Sequence, residues 1–188
     1  MMIFLIVLVV FAAFVVLVYN GLVQKREVVR NDLRQIDIQL DRRFKVFESL
    51  ISAVNKYMDY EKTALKEVVA LRNQAQTAKT SGDDKTRIAS ENEISKIASN
   101  INVTFEQYPD LKANQNVQQF QEEIVNTENK LSFAKQAYND STERFNSSVQ
   151  TFPTNLVAGI FGEAFKTFTY WQLSKEDSKK KEDYIARL

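Results

Sequence analysis

Val117–Phe152 reads VQQFQEEIVNTENKLSFAKQAYNDSTERFNSSVQTF, and its spacing decides the fold. Val117, Ile124, Leu131, Tyr138, Phe145 and Phe152 recur every seven residues; Phe120, Thr127, Ala134, Ser141 and Ser148 form a second column at the same period. A sustained seven-residue repeat keeps both columns on one helix face and implies knobs-into-holes packing with a left-handed supercoil. Large residues in one column and mostly small ones in the other predict close approach to a neighbouring helix. Thr127 lies on the stripe, where a buried polar side chain needs a partner. Its expected role, together with Leu131 and Tyr138, is to fix the register between helices. The Tyr138 ring is expected in the core with its hydroxyl on a polar group.

Upstream, Tyr108-Pro109-Asp110 reads as a turn, with Asp110 or Asn114 capping the heptad helix. A helix from about Asp84 to Tyr108 carries Ile88, Ile94, Ile97, Ile101, Phe105 and Tyr108 on one face. It is preceded by Lys79-Thr80-Ser81-Gly82-Asp83-Asp84, which supplies a glycine stop and an aspartate cap. Between Leu22 and Ala78 there is neither proline nor glycine. Leu33, Ile36, Leu40, Phe44, Phe47, Ile51, Val54, Met58, Leu65 and Val68 follow one another in steps of mostly three and four. This predicts one continuous helix of about 55 residues, on the order of 80 Å long.

At the N-terminus, Met1–Val18 (MMIFLIVLVVFAAFVVLV) holds no charged residue. A bilayer-crossing helix needs roughly 17–25 residues, so the run suffices, with Tyr19 as an interfacial aromatic. A cleaved leader would carry a basic stretch before the run and a small-x-small site after it. Neither is there, and an uncleaved anchor is expected. Lys25, Arg26, Arg30 and Arg34 follow the span, which by the positive-inside bias predicts an outside N-terminus and a cytoplasmic helical part.

Composition narrows function by exclusion. The 188 residues hold 25 Lys+Arg and 24 Asp+Glu, for a net charge of +1, so no sequence-wide pull toward nucleic acid exists. With no cysteine and no histidine, thiolate chemistry, the commonest general base and the commonest metal ligand are all missing. Tyr138 or Glu128 as a catalyst would lack a convergent acid, base or metal ligand. No enzyme and no cofactor are expected. The fold class expected is all-α: an N-terminal transmembrane helix continuing into an elongated antiparallel helical bundle with coiled-coil-like packing.

Motifs along the chain support this in order. Tyr19-Asn20 follows the span, then come Ile36-Asp37-Ile38-Gln39-Leu40-Asp41-Arg42-Arg43 and Tyr108-Pro109-Asp110-Leu111-Lys112-Ala113-Asn114. Thr127-Glu128-Asn129, Tyr138-Asn139, Phe145-Asn146 and Phe152-Pro153-Thr154-Asn155 complete the series. Nearly the whole chain up to Ala158 thereby resembles the LemA family of bacterial membrane-anchored helical proteins. Two departures stand out: Tyr57-Met58-Asp59-Tyr60-Glu61 replaces a stretch where the family often has Ala-x-His-Glu, and Phe145-Asn146 replaces a second Tyr-Asn. The resemblance implies a helical bundle with an N-terminal span in a bacterial inner membrane, and implies no reaction. The domains expected are an anchor over 1–23, a LemA-like bundle over 24–173 with an aromatic C-terminal helix, and a charged tail over 174–188.

Two groups of side chains invite a site reading. Asp37, Arg42 and Arg43 are expected chiefly as exposed helical ion pairs, each worth about 0.2–0.5 kcal/mol. Leu156–Leu173 (LVAGIFGEAFKTFTYWQL) has too broad an apolar face for ordinary core alone. Leu156, Ile160, Phe161, Phe165, Phe168 and Trp171 are therefore candidates for an oligomer or membrane interface. The function expected is a non-enzymatic scaffold that self-associates and organises or shapes membrane. The alternative is a membrane-tethered adaptor or sensor that binds an unidentified protein through its helices. Partners expected are the lipid bilayer and further copies of the chain.

Overall fold

The computed structural model describes residues 1–54, 62–106 and 115–171. Every regular element among them is helical: α1 (Met2–Val54), α2 (Lys62–Ser81), α3 (Asp84–Glu106), α4 (Gln115–Gln150) and α5 (Thr154–Phe161), followed by a 3-10 turn over Gly162–Phe165. The all-α class read from the heptads is what the chain adopts. The contacts of the described residues group into two units, one within 1–37 and 133–170, the other within 38–132 together with Trp171.

In the second unit the expected single rod is two helices laid side by side. Arg72 of α2 bonds Asp41 of α1, although in one continuous helix their 31-residue separation would put them about 46 Å apart. α2 instead runs back along α1, with Arg72 also over the Phe44 ring at 5.7 Å. The apolar steps of three and four continue through both helices without a proline or glycine, so periodicity could not register the reversal. Asn55–Glu61, between them, lie outside the described residues, as does the Tyr108-Pro109-Asp110 turn.

α2 and α3 are joined as the sequence predicts. Gly82 takes φ +74°, a conformation that only glycine adopts without a Cβ penalty. Asp83 N–H then donates to Ala78 C=O (2.9 Å) and Gly82 N–H to Lys79 C=O (3.4 Å), closing the helix in a Schellman arrangement. Asp83 caps α3, accepting the Thr86 N–H at 3.1 Å. The core of this unit joins Val46, Phe47 and Leu50 of α1 to Val68 of α2, Ile94 and Ala98 of α3, and Val117 and Ile124 of α4.

In the first unit, Leu22, Val29 and Ile36 of α1 are buried at seven-residue intervals, as are Tyr138 and Phe145 of α4. The α4 stripe ends there, because Phe152 stands in the open. Helix does not continue through the aromatic segment. α5 stops at Phe161, Gly162 takes φ +39°, Lys166 is extended, and the chain has no regular secondary structure from there to Trp171. Side chains of α4 hold this irregular stretch. Asn146 Nδ2 donates to Phe168 C=O (2.9 Å) while Phe168 N–H donates to Asn146 Oδ1 (3.0 Å). Tyr138 Oη donates to Thr169 C=O (2.8 Å). These amide and phenol groups satisfy backbone that an isolated extended segment would leave to water.

Candidate functional site

The heptad of α1 runs Leu22, Val29, Ile36, Arg43, Leu50, and the fourth member is an arginine. In the structure Arg43 follows that geometry into the interior, where it is 2% exposed. It is not the exposed partner of Asp37 that short-range spacing suggested. Its Nη1 donates to Ser95 Oγ (2.8 Å) and Glu128 Oε1 (3.0 Å), and its Nη2 to the Glu91 carboxylate and to Glu91 C=O.

Glu91 is 1% exposed and lies on the buried face of α3 with Arg87, Ser90, Ile94 and Ala98. Its second oxygen accepts Arg72 Nη1 at 2.9 Å, so one carboxylate serves two guanidiniums. Arg72 reaches Asp41 with its other nitrogen. Two arginines thus meet three carboxylates from α1, α2, α3 and α4. Burying such charges is costly unless every partner is present and hydrogen-bonded, and in this unit the guanidinium donors have those partners. Arg42, one residue before Arg43, meets Glu123 at 3.7 Å on the exposed side.

Chemically, the network is closed. Its carboxylates face guanidiniums, and no group of metal-ligating side chains occurs among the described residues. What it supplies is directional fixing of four helices by paired, oriented hydrogen bonds. The sequence spacing puts Arg43 in an exposed helical ion pair and does not single out Glu91, because charge reads as surface. The signal was available: Arg43 completes the α1 heptad, and Glu91 lies one turn before Ile94 on the α3 stripe.

The register candidates lie within the α4 stripe. Thr127, Leu131 and Tyr138 are all buried. Tyr138 reaches Thr169, but Thr127 Oγ1 has no hydrogen-bond partner, so it packs as an apolar side chain would. The aromatic candidates divide. Phe165 is buried and Phe168 half-buried, its ring 5.4 Å from that of Phe145. Trp171 is also buried, under the Arg87 guanidinium at 5.4 Å. Leu156, Ile160 and Phe161 are exposed.

The LemA family profile matches residues 32–183, most of the chain. The chain belongs to the LemA family. It is also similar to Protein LemA of Metamycoplasma hominis, 29% identical over 139 residues, which are 74% of this chain and 63% of that relative. The match thus spans less than two thirds of the relative's length. As a LemA-family chain it is a membrane-anchored helical protein. Its α1 is long and apolar enough to cross a bilayer, and no residue of the apolar window is fully buried by the other described residues. Family and helix together support a single-pass inner-membrane topology.

Proposed function

We propose that the chain is an inner-membrane scaffold that self-associates and organises the surrounding bilayer, with its N-terminus outside and its helical part in the cytoplasm. The observation that carries this reading is the continuity of α1. One helix, Met2–Val54, contains both the apolar run and the core stripe that receives Arg43. A span that continues as unbroken helix into the buried Leu22, Val29 and Ile36 leaves no flexible linker between the membrane and the first packed turns. A closed charge network in place of a reactive cluster fits a mechanical role. Exposed Val125 on α4 and Ile38 on α1 supply apolar surface for contact between copies. Lys25, Arg26, Arg30 and Arg34 supply the orientation.

Reconstitution of the full chain into phosphatidylethanolamine–phosphatidylglycerol vesicles, imaged by electron cryomicroscopy, tests the role. Clustered protein density or altered vesicle shape is the expected result. Evenly dispersed single particles on unchanged vesicles would refute it.

A further inference from the structure

The stretch from Thr151 to Gly162 contains no charged residue. α5, at its centre, buries Val157 and Ala158 against the rest of the first unit. Its opposite side is just as apolar yet open: Phe152 is 74% exposed, Leu156 59%, Ile160 71% and Phe161 41%. A helix at an aqueous surface turns polar residues outward; this one has only Thr154 and Asn155, both in its first turn.

Its position in the unit supplies the reason. The Phe161 ring lies 4.7 Å from the Tyr19 ring, and the Phe165 ring 5.3 Å from it. Tyr19 is the residue that immediately follows the apolar run. Val15 and Val18, the last turn of that run, are half-buried, so the chain reaches up to the end of the span. Farther along α1, Arg26 Nη1 donates to Ala164 C=O (3.0 Å) and its guanidinium lies 5.9 Å from the Phe165 ring centroid. Lys25 Nζ donates to Ser148 Oγ at 2.5 Å. The end of α4, α5 and the 3-10 turn are therefore pinned to α1 between Tyr19 and Arg26, about 10 Å of helix. That is the zone where an interfacial tyrosine and the first basic residues meet lipid headgroups.

We propose that α5 is a second membrane-contacting element, with Phe152, Leu156, Ile160 and Phe161 seated in the headgroup–acyl boundary of the bilayer that α1 crosses. The occupant of this apolar face is phospholipid. Interfacial helices sink their apolar face roughly 5–10 Å into that boundary, and here the face already lies at that level, continuous with the lipid-exposed span. Lys25 and Lys166 are exposed beside it, while Arg26 is paired with Glu27 at 3.3 Å, so the apolar face and not net charge carries the contact. Two attachments, one through the bilayer and one along its surface, fix the rotation of α1 about its axis. The proposal rests on Met1–Val18 spanning the membrane and is independent of self-association.

The absence of cysteine makes a site-directed test clean. Full-length Ile160→Cys, Val9→Cys and Phe133→Cys each carry one nitroxide label in phosphatidylcholine–phosphatidylglycerol vesicles. Collision of the label with lipid-soluble oxygen is compared with collision with a water-soluble nickel chelate. The Ile160→Cys label is expected to give an oxygen-to-nickel ratio several-fold above that of Phe133→Cys and below that of Val9→Cys. A label at position 9 that reads as aqueous would overturn the span and the proposal with it. If position 9 reads as lipid and position 160 as water, the proposal alone fails. A position-160 label shielded from both reagents would mean cover by a second copy of the chain, and equally overturns it. Leu156→Cys gives the same reading should Ile160→Cys fail to fold.

Discussion

Arg43 of α1 and Glu91 of α3 face each other almost entirely out of solvent, 2% and 1% exposed, and the same Glu91 carboxylate also holds Arg72 of α2. The pair sits where a heptad would place an aliphatic side chain. Breaking such a pair from one side strands a buried charge, which costs about 3–5 kcal/mol, whereas removing both partners together costs much less. Glu91→Leu and Arg43→Met are each expected to lose stability on that scale in urea unfolding. The double variant should lose clearly less than the sum of the two, through the coupling expected of residues in one network. Additive losses would show that the two charges do not depend on each other.

Thr127 makes the opposite prediction. Its hydroxyl is buried without a hydrogen bond, so exchanging it for a methyl group removes an unpaid desolvation. Thr127→Val should leave stability unchanged or raise it by about 1 kcal/mol. A clear loss would show that the hydroxyl fixes register after all.

Leu131 is fully buried on the α4 stripe. Leu131→Asp should destabilise the bundle by several kcal/mol through an unpaired buried charge. An unchanged unfolding midpoint would remove the heptad assignment.

Acid sensitivity has a readable contributor in Asp83. The Thr86 hydroxyl and backbone N–H bond its carboxylate, holding its pKa below the ordinary carboxylate value. A depressed folded pKa means that the stabilisation is complete above the unfolded-state pKa, about 3.9, and fades as pH falls through the lowered folded value. Asp83→Asn should therefore melt lower than the parent near neutral pH, with the difference shrinking in strong acid. Equal melting temperatures near neutrality would show that the charged cap contributes nothing.

The sequence made the all-α class legible because two periodic signals, the α4 heptad and the apolar run, are long enough to outvote local noise. Val117, Ile124, Leu131, Tyr138 and Phe145 keep their stripe in the structure, and Gly82-Asp83 makes the expected stop and cap. The reversal between α1 and α2 was hidden because apolar spacing reports which face is buried and not where a chain turns back. Arg43 and Glu91 were hidden for another reason: their worth comes from partners 48 residues apart, and spacing on one helix shows only neighbours three and four away. The aromatic segment read as one helix because the hydrogen bonds that take up the backbone of 168–169 come from Asn146 and Tyr138, far off in sequence. Its division into buried Phe165 and Trp171 and open Leu156, Ile160 and Phe161 depends on the same tertiary contacts.

Self-association is the claim on which the scaffold role stands, and mass tests it most directly. The full-length protein is extracted in mild detergent and its mass measured with bound detergent subtracted. The account predicts a discrete species many times the 21.7 kDa of one chain. A monomer or dimer would contradict it, and would turn attention to a different protein as the partner of the helical part.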